Sequence, residues 1–73
     1  MIIQHATQQA AVRYARAEAA DHANGSQHVL LMNGNTMTFS CDDSGTITKR
    51  IVSGWIVSGD RHCGPKAYAV ATN

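Results

Sequence analysis

A change of pattern near Gly25 decides most of what this chain can fold into. From Thr7 to Ala23 there is neither glycine nor proline, and alanine is the commonest residue. Alanine costs less than any other residue in a helix. After Gly25, β-branched residues alternate with polar ones, and turn residues interrupt them at intervals. A period near 3.6 has given way to a period of two. A helix followed by short strands with short connections is an α+β chain.

The helix is predicted over Thr7 to Ala23. The Thr7 hydroxyl can accept a hydrogen bond from a free amide of the first turn, and Gly25 suits the left-handed position just past a helix end. At about 100° per residue, Ala11, Val12, Ala15, Ala19 and Ala23 share one side with Gln8 and His22. Gln9, Arg13, Arg16 and Ala20 lie roughly opposite. The apolar face is narrow and made of small side chains. It gains little from transfer out of water but lets the helix sit close against a sheet.

Beyond the helix, Gln27 to Met32 is an apolar run, and Asn33-Gly34 is a hairpin signal because both residues tolerate positive φ. Thr36 to Cys41 alternates, with Met37, Phe39 and Cys41 expected inward and Thr36, Thr38 and Ser40 outward. Asp42-Asp43-Ser44-Gly45 reads as a turn. A long strand is expected from Thr46 to about Ser58, with Ile47, Ile51, Trp55 and Val57 on one parity and Val52 and Ile56 on the other. Either both faces of its second half are covered, or Gly54 marks a bulge. Gly59 to Pro65 reads as a loop and Lys66 to Ala71 as the last strand, with Tyr68 and Val70 on one face. The expectation is an N-terminal helix packed on an antiparallel meander of three to four strands.

The whole chain, residues 1–73, reads as a single small domain. A domain of this size buries only about 60% of its unfolded surface. Alanine makes up eleven of its apolar residues, while Leu, Ile, Val and Phe number thirteen. Disorder also requires a large net charge, and the balance here is +1, so the chain folds. Such a core supplies about 3–5 kcal/mol. Self-association as a homodimer, or capture of a protein partner, is therefore expected.

Several function classes are set aside. Six Lys/Arg against five Asp/Glu make neither an acidic nucleic-acid mimic nor a strongly basic binder. The start of the chain has no basic segment leading into an apolar one, and no run approaches the ~20 apolar residues of a membrane span. With two cysteines there is no disulfide framework, and the expected compartment is the cytoplasm. Cys41, His62 and Cys63 lack the paired spacing of a zinc site. No nucleophile–base arrangement or phosphate-cradling glycine loop stands out, so neither catalysis, a metal nor a cofactor is expected.

Binding is what remains. Trp55 and Tyr68 on strands, with Lys49, Arg50 and Arg61 near them, are the candidate anchors for a protein partner. An unpaired strand edge would add pairing with an extended segment of that partner. Nucleic-acid binding through the basic C-terminal half ranks second, because only four aromatics are available for stacking. Small folds without catalytic signatures are common among phage and mobile-element accessory proteins that inhibit host defence, including anti-CRISPR proteins. That setting is expected by analogy of size alone.

Overall fold

The computed structural model describes residues 2–21, 25–55 and 67–72. The elements run β1 (Ile2–His5), α1 (Gln8–Asp21), β2 (Ser26–Leu30), β3 (Asn35–Cys41), β4 (Ile47–Ser53) and β5 (Tyr68–Thr72). The α+β class is as expected. The Thr7 hydroxyl accepts from the Ala10 amide at 3.2 Å, and the Thr7 carbonyl accepts from Ala11 at 3.2 Å, so Thr7 caps the helix. The expected helix stop at Asn24-Gly25 falls partly on residues 22–24, outside the described residues.

Two hairpins are built alike. In the first, Gly34 N–H donates to the Leu31 carbonyl at 3.1 Å, and Leu31 N–H donates to Asn35 at 2.9 Å. In the second, Gly45 donates to Asp42 and Asp42 to Thr46, both at 3.0 Å. Each three-residue loop ends on a left-handed glycine, with φ 90° at Gly34 and 86° at Gly45. This is the turn-plus-bulge hairpin rather than the two-residue turn expected at Asn33-Gly34. Asp42 fastens its loop by accepting from the Ser44 and Thr46 amides, each at 2.9 Å, and from the Ser44 hydroxyl at 2.7 Å. The Ser44 hydroxyl, then the Thr46 amide, hold the Asp42 carboxyl below its usual pKa.

Among the described residues the sheet has five strands in the order β1-β5-β2-β3-β4, and every neighbouring pair is antiparallel. The expected meander is corrected in both strand count and order. Instead of sitting at the end, β5 inserts between β1 and β2, with Val70 opposite Ile3 on one side and Val29 on the other. The reason is backbone satisfaction. Residues Gln27 to Leu30 of β2 are buried, so their polar backbone groups need partners on both sides.

One face of the sheet carries α1. Ala11, Ala15 and Ala19 are fully buried against Val29, Leu31, Met37, Phe39 and Val70. Val12, Tyr14, Ile47 and Tyr68 close the rim. The inward parity expected for Met37 and Phe39 is the observed one. Arg16, expected to point away, instead sets its guanidinium carbon 5.2 Å from the centroid of the Phe39 ring, a cation–π contact. The His5 and Tyr14 rings lie 5.1 Å apart and tie β1 to the helix.

The expected long strand is also corrected: β4 stops at Ser53, because Gly54 takes φ 84° and leaves the extended region. The Thr36 hydroxyl donates to the Gly54 carbonyl at 2.7 Å, and the Trp55 indole N–H donates to the Leu31 carbonyl at 2.8 Å. Thr36, expected outward, is fully buried. Ile56, Val57 and Ser58 lie outside the described residues.

Candidate functional site

Among the described residues β4 pairs on one side only, so it forms one margin of the sheet. Its sequence, ITKRIVS, contains two cations and no carboxylate. The residues Thr48 to Ile51 are exposed, and Ile51 keeps 57% of its surface in water. The hairpin bond from Asp42 to Thr46 fixes which backbone groups of β4 have no partner among the described residues. Hydrogen-bonded and non-bonded pairs alternate along an antiparallel ladder. In the observed register, Thr48, Arg50 and Val52 therefore bond to β3. Ile47, Lys49, Ile51 and Ser53 turn their N–H and C=O groups to the open side.

Across the face without the helix runs a polar strip. Register sets Arg50 opposite Thr38 and Thr38 opposite His28, while Ser40 lies opposite Ser26. The His28–Thr38 and Ser26–Ser40 pairs fall at non-bonded ladder positions, where strands approach to about 4.5 Å. Their side chains meet: His28 Nδ1 and Thr38 Oγ1 are 2.9 Å apart, and the two serine hydroxyls 3.2 Å. Together with Arg50 and Val52 these residues line an open pocket of about 340 Å³. His28 is 5% exposed, and its Nε2 is buried with no hydrogen-bond partner among the described residues.

Burial lowers the His28 pKa from its ordinary 6.5, because the sheet disfavours the charged ring. The sign of the consequence follows from linkage. As pH falls through about 6.5, the unfolded chain takes up a proton at this position before the folded chain does. Stability is thus held above about pH 7 and declines below 6.5 until the folded-state pKa is passed. Urea midpoints between pH 8 and pH 5 should show this decline, and His28→Gln should reduce its slope. Equal slopes in the two proteins would remove His28 as its source.

The residues expected to anchor a partner are distributed unevenly. Lys49 and Arg50 are exposed neighbours on β4, with side chains on opposite faces of the sheet. Trp55 is half-buried and bonded to Leu31, and Tyr68 is half-buried on the rim of the core. Arg61 lies outside the described residues. Trp55→Phe should cost about 1 kcal/mol of stability through the lost indole bond, checked by thermal melting. The structure therefore brings Arg50 together with Ser26, His28, Thr38 and Ser40, a grouping the sequence reading did not make.

Cys41 is a free, half-buried thiol, while His62 and Cys63 lie outside the described residues. Among the described residues no group of three or more His, Cys, Asp or Glu side chains could hold a metal ion, and no helix is long and apolar enough to cross a membrane. No family model, curated protein or solved structure matches the chain.

Proposed function

We propose that this chain is a non-catalytic protein-binding module that takes an extended acidic segment of a partner protein onto the open edge of β4. The observation that supports this most is β4 itself. It is a seven-residue margin strand with outward-turned backbone groups, an exposed Ile51 and the adjacent cations Lys49 and Arg50. Edges of this kind accept a further strand through main-chain hydrogen bonds, with alternate side chains conferring selectivity. Charge favours a foreign acidic segment over a second copy of this chain. Two copies of β4 would bring four cations and no carboxylate to one shared edge.

By analogy of size, the setting we propose is an accessory protein of a phage or mobile element that inhibits a host protein by occupying it. Nucleic-acid binding has weaker support. Phe39 is fully buried and Tyr14, Trp55 and Tyr68 are half-buried, which leaves no fully exposed aromatic for base stacking.

Affinity capture from nuclease-treated bacterial lysate tests the reading. Ile51→Pro removes an outward N–H without touching the β3–β4 ladder, a position where proline is tolerated. Wild type and Ile51→Ala should capture the same protein in stoichiometric amount. Ile51→Pro and the Lys49→Glu/Arg50→Glu pair should lose it with circular dichroism unchanged. Capture that is indifferent to Ile51→Pro, or that vanishes with nuclease, would overturn the reading.

A further inference from the structure

The polar pocket opposite the helix has a donor surplus that the edge strand does not use. In the His28–Thr38 pair, one hydrogen lies between Nδ1 and Oγ1. If Thr38 donates it, the imidazole Nε2 carries a proton with no acceptor; if Nδ1 donates it, the Thr38 hydroxyl hydrogen is left over. The Ser26–Ser40 pair likewise consumes one hydroxyl hydrogen and leaves the other. The serine pair therefore leaves one hydroxyl hydrogen for the pocket, and the tautomer in which Nδ1 donates leaves the Thr38 hydroxyl hydrogen as a second. Arg50 adds a guanidinium with five N–H donors, and no carboxylate of the described residues lines the pocket. A cavity lined by hydroxyls and holding one fixed positive charge suits an acceptor-rich anion. Its volume of about 340 Å³ admits a small molecule.

We infer that the pocket formed by Ser26, His28, Thr38, Ser40 and Arg50 binds the oxyanion group, carboxylate or phosphate, of a small molecule. Arg50 supplies the charge and the hydroxyls of Ser26, Thr38 and Ser40 supply hydrogen bonds, while the buried His28 ring positions the Thr38 hydroxyl. The site does not depend on strand addition to β4, since its donors lie on the face of the sheet and not along its edge.

Amide chemical shifts followed during titration with inorganic phosphate, and separately with succinate, at constant ionic strength test this. Saturable shifts at Ser26, Thr38, Ser40 and Arg50 are expected with at least one of the two anions. Saturation with phosphate alone assigns phosphorylated ligands, and with succinate alone carboxylates. Arg50→Gln should weaken binding by about tenfold or more, and Val52→Glu, which puts a carboxylate into the pocket, should abolish it. Lys49→Gln removes the same charge from the opposite face of β4 and should leave affinity within about twofold. Absence of saturation with either anion up to about 100 mM, where even very weak sites fill, would overturn the inference. So would equal weakening by Lys49→Gln and Arg50→Gln, which marks general surface charge instead of a site.

Discussion

Phe39→Ala is expected to leave the protein largely unfolded at 25 °C. Phe39 is the largest of the fully buried side chains. It lies on β3 in the cluster with Ala11, Ala15 and Ala19 of the helix, with Arg16 above its ring. The alanine face of the helix brings no bulk that could collapse into the space left behind. Truncating a buried phenylalanine costs about 3–5 kcal/mol, which equals all that a core of this size is expected to supply. Phe39→Leu keeps most of the volume and should remain folded. Urea denaturation followed by far-ultraviolet circular dichroism reads both variants. A Phe39→Ala midpoint close to wild type would mean that the helix does not pack on this ring.

Val70→Asp should be comparably damaging, for a reason that belongs to the strand order. In a meander the last strand is marginal, and a charge near its end is partly solvated. Here β5 lies between β1 and β2, and Val70 is 1% exposed within the core cluster. An unpaired carboxylate at such a place costs several kcal/mol. β1 would be lost with it, because the only strand β1 pairs with among the described residues is β5. Arg50→Asp makes the useful contrast: it puts a carboxylate on the exposed margin strand β4 and should melt near wild type. Equal melting of Val70→Asp and wild type would contradict the internal placement of β5.

The local part of this fold was legible because local chemistry sets it. The Thr7 cap, the period of Ala11, Ala15 and Ala19, and the alternation from Thr36 to Cys41 each follow from a few neighbouring residues. β1 was not legible, since Ile2 and Ile3 are adjacent apolar residues in a strand of four, too short to display alternation. Nor was the insertion of β5, which depends on β2 needing a partner for its second edge, a non-local requirement that no spacing in the sequence reports. Lys49 and Arg50 stood out as exposed cations on a strand. The pocket did not, because Thr38 and Ser40 read singly as outward positions, His28 fell inside the apolar run from Gln27 to Met32, and Ser26 carried no signal of its own. A signal was present in the register. With the hairpin closed at Leu31 and Asn35, Ser26 must face Ser40 and His28 must face Thr38.

The proposed function makes β4 an open edge on which a partner segment forms a new strand. Residue-resolved amide hydrogen exchange, on the free protein and on its complex with the captured partner, tests it most directly. In the free protein Thr48, Arg50 and Val52 should exchange slowly, and Ile47, Lys49, Ile51 and Ser53 quickly. In the complex Lys49 and Ile51 should slow by about tenfold or more, as amides newly bonded within a ladder do. Fast exchange at Lys49 and Ile51 in the complex, with protection gained on another surface, would contradict docking at this edge.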